Sequence, residues 1–556
     1  MDNVRAPDAN NGRPMPNRQD NRPEPPPGTT RRALAVLAAL CLWLGLAAAV
    51  PAGPPATPAA PEPLADGLSL GLMDTIRLTL AQNLQINLAE QDVEVSKGNL
   101  EAAQGRFDLN LSSYLSQSYN TAALPQIDRE AYQRNAQNTN VTSFNLGATQ
   151  LLRNGLTLNP YLTVSRSRDT LAYPNLPASQ AKVAFEVVVP LMRGLGEEAT
   201  AAPERAARYT LDSSRLTYFH TASLNVYQAI YDYWQLRQAQ LVLDVYLDSE
   251  QRAVKLLGEV GELAAADQAP KSTLTNLRAN LNLKSAQRLA AEQTLLGAAE
   301  NLANDLGLAQ RAPQAGLRAA EDFPAQPAAP DPNATAGLHA MALERRADLQ
   351  AARAAGMASR ENLVAARDAM RPQVNLTLGA GYNGLSEIET YDSYYRSFED
   401  GIYGPNALGR LDFAFPVENR AARGQMVASQ AQLRQAQINE RDTRRRVELG
   451  VASALANLGS AADQCAKAKD AVENYRKASV DERTKFTLGT STILDVIQVE
   501  DQLTTALLNE VTARQAYASA LVRLRYETGT LISGDPQSAS LERMSLLTLP
   551  NQGAQP

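Results

Sequence analysis

The chain has 556 residues, of which 44% are hydrophobic, 20% charged and 5% aromatic, with a net charge of −6. Such a composition folds rather than staying disordered, and 53 Lys and Arg against 59 Asp and Glu exclude a large basic nucleic-acid footprint. Two histidines, His220 and His339, and two cysteines, Cys41 and Cys465, cannot build a zinc cluster and give a histidine-dependent catalytic triad only two possible bases, so neither an enzyme nor a cofactor is expected.

Residues 1–32 are polar and proline-rich and end in Arg31 and Arg32; residues 33–50 are an apolar run, and Ala47, Ala48, Ala49 and Ala52 crowd its end. A charged region, an apolar region and small residues make a cleavable export signal. The alternative, a retained anchor, has only a borderline spanning length. Residues 1–52 are thus expected to be a signal peptide with a polar N-region, and 53–66 a Pro/Ala linker. Cys41 sits in mid-run after Leu40, which is not a lipoprotein position. No later run suits a membrane helix, so an exported chain is periplasmic, secreted, or embedded in an outer membrane as a β-barrel.

Short alternating segments come next. Residues 109–120, 142–152, 156–166 and 184–190 place apolar side chains on one face and Asn, Thr, Ser or Gly on the other. The clearest example lies later, where Val374, Leu376, Leu378, Ala380 and Tyr382 alternate with Asn375, Thr377 and Asn383; 408–416 is a further candidate. Segments of about ten such residues are the signature of barrel strands, although a half-buried soluble sheet shares the pattern. Val374, Leu376, Leu378 and Tyr382 are expected to face lipid. The tyrosines and phenylalanine of the intervening loop, Tyr391, Tyr394, Tyr395, Phe398 and Tyr403, fit either an aromatic girdle or packing within the loop.

Two long helices are predicted. The first covers about 206–263, with a seam of Leu224, Tyr227, Tyr231, Trp234, Leu241 and Val245. The second covers about 419–485, where Val447, Val451, Ala454, Leu458, Ala461, Cys465, Ala468, Val472 and Tyr475 alternate in steps of four and three, a heptad seam. Roughly 65 helical residues span about 100 Å, and such narrow seams suit a thin-walled helical assembly wet on its other faces. Cys465 reads as a small packing residue, and His220 and His339 as structural or solvated. Each long helix is followed by a turn and a shorter helix. The first turn lies near Asp267 and Pro270, with helix resuming at about Lys271; the second reads FTLGTSTILDV over 486–496, with Gly489 as the C-cap glycine and Thr490 or Ser491 as the next N-cap.

The chain repeats itself. Residues 99–120 align with 362–383, and Leu274, Leu277 and Leu281 match Val496, Val499 and Leu503. This predicts two direct copies of one unit, helix, strands, long helical hairpin, over 67–310 and 334–532, with a Pro/Ala-rich connector at 311–333 and a flexible tail at 533–556.

In this layout the chain resembles the TolC-like outer-membrane efflux proteins. The resemblance covers nearly everything from Leu68 to Ile532 and is carried by LSLGLMDTIRLTLAQNL at 68–84, VPLMRGLG at 189–196, YDYWQL at 231–236 and, most specifically, the second turn at 486–496. It implies a mixed α+β membrane protein: long coiled-coil hairpins form a periplasmic α-barrel, and strands from a homotrimer share one transmembrane β-barrel in outer-membrane lipid. It further implies a passive outer-membrane channel of a tripartite efflux or type I secretion system, docked through a periplasmic adaptor on an inner-membrane pump. The candidate contact and entrance residues are Gly489, Thr490, Ser491 and Asp495. Asp495 is either an acid favouring a helix N-terminus or one of a ring of three carboxylates at the tunnel mouth. The first turn departs from the second, with Asp267 where Gly489 stands and Thr273 where Asp495 stands, so docking at the two turns need not be symmetric. The family usually has two strands per half. Two crossings are therefore expected in the first half, with 142–152 and 156–166 extended or folded inward around the turn Arg153-Asn154-Gly155; four is the alternative. A periplasmic adaptor would show a single hairpin flanked by β-rich halves, unlike this chain, and a secreted enzyme lacks any acid/base constellation here.

Overall fold

The computed structural model describes residues 69–171, 177–266, 271–308, 316–324, 335–388, 390, 392–399 and 403–532. The expected signal peptide, linker and tail, the side chains of Tyr391 and Tyr403, and Asp267 and Pro270 of the first turn lie outside them.

Strand β1 (Ser69–Leu70) leads into α1 (Leu72–Gln82) and α2 (Leu84–Gln104). Asn83 separates these helices because its side chain accepts from the Gln85 and Ile86 amides, a new N-cap. Four strands follow, β2 (Asn110–Ala123), β3 (Ala136–Leu151), β4 (Thr157–Asp169) and β5 (Ala178–Pro190), with the short helix α3 (Gln126–Tyr132) after β2. Beyond α4 (Glu197–Thr200) come the long helix α5 (Ala202–Ala265) and α6 (Lys271–Asp305). Strand β6 (Arg318–Ala319) pairs in parallel with β1. The second half runs α7 (Thr335–Arg345), α8 (Ala347–Ala369), β7 (Gln373–Ser386), α9 (Ser393–Arg396), β8 (Tyr403–Ala414), α10 (Arg420–Thr487) and α11 (Ile493–Glu527). No described helix is long and apolar enough to cross a membrane.

Six strands form one sheet in the order β2-β3-β4-β5-β7-β8, every pair antiparallel. This corrects the expectation of two strands in the first half. Segments 142–152 and 156–166 lie in the middle of the sheet, as β3 and β4, neither folded inward nor merely extended. Parity permits both counts, and pairing between strands distant in sequence decides between them. The sheet is open, with β2 and β8 as its edges.

Both long helices carry buried stripes. In α10 the expected seam is the buried one, from Val447, Val451, Ala454 and Leu458 to Ala461, Cys465 and Val472. In α5 the expected seam is displaced by about one position. Ala222, Val226, Ile230, Tyr233 and Leu236 are buried along with Trp234, whereas Leu224 is 42% exposed. The reason is that α5 is covered from several sides: α1, α6 and α11 all pack on its middle, in a core of Leu72, Ile76, Ile230, Trp234, Leu302 and Val522. A second core seats α7 and α11 on the seam of α10.

Candidate functional site: the hairpin tip and a two-faced sheet

Helix α10 stops in a Schellman motif. Gly489 has φ +76, its amide donates to Phe486 O at 3.0 Å, and the Thr490 amide reaches back to Lys485 O at 2.9 Å. A side chain at 489 would meet no atom within 4 Å, so the demand for glycine is conformational. The Thr490 hydroxyl also donates to Lys485 O, at 3.1 Å. The N-cap of α11 is Thr492, one residue beyond the expected Thr490 or Ser491. It forms a capping box with Asp495: the Asp495 amide donates to the Thr492 hydroxyl at 3.3 Å, and Asp495 Oδ2 accepts from the Thr492 amide at 3.0 Å and from its hydroxyl at 2.6 Å. Those Thr492 bonds hold the Asp495 carboxyl below the usual aspartate range. Ser491 donates to Glu482 and lies 3.4 Å from Asp495 Oδ2. Gly489, Thr490, Ser491 and Asp495 are thus brought together in one turn, with Asp495 in the capping geometry. Leu488 and Leu494, unmarked by the sequence pattern, stand beside them 73% and 58% exposed.

Behind this turn the two hairpins meet. Val496, with Phe486, Ile493 and Ile497, packs on Leu256, Val260 and Leu277 of the first hairpin. A polar cluster that sequence reasoning did not find follows one turn on. Glu500 accepts from Arg252 Nε and Ser479 Oγ, both at 2.8 Å, and Arg483 lies at 3.8 Å. Asp501 pairs with Lys284 at 2.6 Å, and Ser249 meets Thr504 at 3.1 Å. These contacts tie α11 to three other helices. The available signal was the pair of adjacent acids, Glu500 and Asp501, on α11.

The sheet has two chemically distinct faces. Cross-strand partners share a face, and the register gives the rows Leu111–Ala148, Leu115–Phe144–Val164–Ala181, Leu158–Val187–Leu378, Val189–Leu376–Leu411 and Val374–Phe413 on one side. The row Gln117–Thr142–Arg166–Ser179 ends this apolar band at one end. There α9 lies over it, with Ser393 Oγ 2.9 Å from Ser179 Oγ, and the Ser397 carbonyl occupies the place a side chain at Gly384 would need. Tyr394 faces the Arg166 guanidinium at 6.0 Å, while Tyr395 and Phe398 are exposed. The opposite face carries Ser116, Asn145, Thr163, Lys182, Asn383 and Asp412, with Tyr161 OH 3.1 Å from Glu186 Oε1. Val374, Leu376, Leu378 and Tyr382 share the apolar face, and Asn375, Thr377 and Asn383 the opposite one. Among the described residues no group of three or more His, Cys, Asp or Glu could hold a metal ion.

Residues 338–530 match the family model described as outer membrane efflux protein. The chain is 26% identical over 324 residues to the outer membrane protein TolC of Escherichia coli (strain K12), covering 57% of this chain and 61% of that protein. It is 26% identical over 211 residues to TolC of Salmonella enteritidis, covering 37% and 41%. These alignments span less than two thirds of either relative. The fold is similar to that of the Campylobacter jejuni CmeC outer membrane channel, with a TM-score of 0.62 and 13% identity, covering 87% of this chain and 92% of the other. It is also similar to VceC from Vibrio cholerae, with a TM-score of 0.59, 15% identity and coverage of 82% and 96%. The second half matches by sequence, the fold agrees over most of the chain, and the capped turn at 486–496 stands where the sequence resemblance is most specific; residues 338–530 carry the match to the outer membrane efflux protein family, and the chain as a whole is similar in fold to its channels.

Proposed function

We propose that this chain is the outer-membrane channel of a tripartite efflux or type I secretion system, a passive exit duct for cargo driven by an inner-membrane pump and handed over by a periplasmic adaptor. The observation that carries the reading is the two-faced sheet set at one end of two helical hairpins. An apolar band backed by a polar face suits a wall between lipid and water, and helices of 64 and 68 residues reach on the order of 100 Å away from it. The family's relatives are outer-membrane proteins and channels by name, which supports an outer-membrane location with a large periplasmic portion.

Two further features support the finer reading. Corresponding elements of the two halves have equal lengths. Helices α1 and α7 both have 11 residues, strands β2 and β7 both have 14 residues, and helices α6 and α11 both have 35 residues. The step from Leu72 to Thr335 at the helix starts equals that from Asn110 to Gln373 at the strand starts. Such matching favours two copies of one unit. The open sheet with two unpaired edges favours a homotrimer in which protomers complete one barrel, since exposed edges are not tolerated in lipid. The tip residues Gly489, Thr490, Ser491 and Asp495, with Leu488 and Leu494, are the proposed adaptor contact and entrance. The test is to purify the chain from outer membranes in detergent and measure its mass. A trimer is expected. A stable monomer, or recovery in the soluble periplasm, overturns the reading.

A further inference from the structure

The hairpin of β3 and β4 is the feature that the proposed function does not absorb. Resting on the trimeric channel reading, we infer that this hairpin is part of the membrane wall, so that each protomer supplies six strands and three copies close an 18-stranded barrel through β2 of one copy and β8 of the next.

Three observations carry this. First, the apolar residues of β3 and β4 continue the band rather than forming one of their own. Leu146 and Leu162 sit in one row with Val183 and Tyr382, Pro160 in a row with Phe185 and Ala380, and Val164 in a row with Ala181. A hairpin projecting beyond the membrane would have no use for lipid-facing residues at that height. Second, the hairpin spans the full height of the sheet. At one end Ala136 pairs with Ala123. At the other, the Arg153 turn is fastened to the helical part: Arg153 Nε and Nη2 donate to the two carboxylate oxygens of Glu204 at 2.8 and 3.1 Å, its guanidinium lies 4.8 Å from the Phe107 ring centre, and the Gly196 amide donates to Asn154 O at 3.1 Å. Gly155, at φ +94, lies so close to the Gly194 carbonyl that no side chain fits between them. Third, all five pairings are antiparallel, so β2 and β8 run in opposite directions. The β8 edge of one copy therefore meets the β2 edge of another in the same antiparallel sense that runs through the sheet. Both edge strands are exposed, with Leu111, Leu115 and Tyr119 on one and Leu411 and Phe413 on the other, as lipid-facing residues of a barrel wall would be.

The size follows from geometry. With strands about 4.8 Å apart and tilted by about 40°, 18 strands enclose a backbone cylinder about 36 Å across. The two strands per half usual in the family, four per protomer, would enclose one about 24 Å across, less than half the cross-section. Barrels of 16 to 18 strands leave an aqueous channel. Most inward positions of the added hairpin, among them Ser143, Asn145, Gly147, Asn159, Thr163 and Ser165, are small or polar, with Val141, Leu151 and Tyr161 the larger exceptions and Asp169 a charge at the outer end, so the enlarged wall is wettable. An exit this wide cannot select among small solutes, which leaves selection to the periplasmic end.

The test uses the full chain in a Cys41→Ser, Cys465→Ser background. Leu115→Cys is combined in turn with Gly409→Cys, Leu411→Cys and Phe413→Cys, oxidised in the membrane, and read for cross-linked dimers and trimers in denaturing gels. At least one pair should give them. In single-cysteine variants, Thr163→Cys should react with a membrane-impermeant maleimide at least tenfold faster than Leu162→Cys. Electron microscopy of the purified trimer should show a barrel wall about 36 Å across. A trimer with a wall about 24 Å across and equal labelling at 162 and 163 overturns the inference while leaving the trimeric channel intact. A monomer overturns both.

Discussion

Replacing Leu378 with arginine tests the assignment of faces. Leu378 lies on the apolar side of β7, between Val187 and Gly409, and is 50% exposed in the single chain. An arginine on the lipid face near the bilayer midplane costs roughly 2–4 kcal/mol. In a trimer the three copies are far enough apart for their costs to add, giving about 6–12 kcal/mol per assembled barrel, comparable with the whole stability of a domain. The control is Asn383→Arg, whose exposed side chain lies on the polar face beside Asn406, which donates to it at 2.9 Å. Thr377, the nearest inward neighbour, is a poorer control because it is only 1% exposed, and an arginine there would be refused on steric grounds alone. The assay is the amount of folded oligomer in the outer-membrane fraction at equal expression. Leu378→Arg should remove most of it and Asn383→Arg little. Equal losses would refute the assignment of β7 to a membrane wall.

At the tip, Gly489→Val forces a non-glycine residue to φ +76 without any clash, at a cost of about 1–2 kcal/mol; pump-dependent export should fall while outer-membrane abundance, read by immunoblot, stays unchanged. Asp495→Asn should lower cation preference in single-channel recordings; unchanged selectivity would leave Asp495 with its capping role alone. The Asp495 carboxyl is held below its ordinary value by Thr492, so its contribution is present above about pH 4 and is lost as pH falls further, a loss that should vanish from the melting curves of Asp495→Asn. Glu500→Ala leaves Arg252 and Ser479 without their shared acceptor and should cost about 1.5–3 kcal/mol, with a double-mutant cycle against Arg252→Ala showing coupling rather than additivity. Asp305 is pushed up to about 7 by burial and by neighbouring Asp232. A carboxyl raised in the fold stabilises it at low pH, and that contribution is lost as pH rises from about 4 to 7. The wild-type chain should therefore melt higher at pH 5 than at pH 8, and Asp305→Asn should flatten this difference.

Much of the fold is legible because it is periodic. The seam of α10 was readable residue by residue, since a narrow stripe packed against one side obeys the heptad step. The seam of α5 was not, because contacts from several helices widen the buried arc and shift its centre toward Val226, Ile230 and Tyr233. The strands were legible as strands, and the alternation of β7 matches its pairing register. Their number in one sheet was not, because β3 carries Asn138, Asn140 and Thr142 on the apolar side near its outer end and so alternates cleanly over only part of its length. The turn of Gly489 and Asp495 was visible because caps are local. The Glu500 cluster was not, because its partners Arg252, Ser479 and Lys284 come from three other helices.

The correspondence between the halves exposes one place where similar backbone carries different chemistry. Asn83 and Arg346 stand at matching positions, each at the junction between an 11-residue helix and the longer one after it. Asn83 caps that junction with a neutral amide and donates to Asp305 O at 2.9 Å. Arg346 reaches the corresponding helix end, donating to Tyr526 O at 3.4 Å and pairing with Glu527 at 2.9 Å and Asp348 at 2.8 Å, its guanidinium stacked on the Tyr526 ring. Asp305 and Glu527 match in turn, as the last residues of the two 35-residue helices α6 and α11. Glu527 therefore has a cation against it, and Asp305 has Asp232 instead. A buried acid facing an arginine can stay ionised, whereas one facing a second acid holds its proton into the neutral range. Burial raises Glu527 as well, but Arg346 and Arg523 pull it back, so the pH dependence should be larger at the junction of the first half, and exchanging the chemistry with Asn83→Arg should bring Asp305 back toward the ordinary carboxylate range.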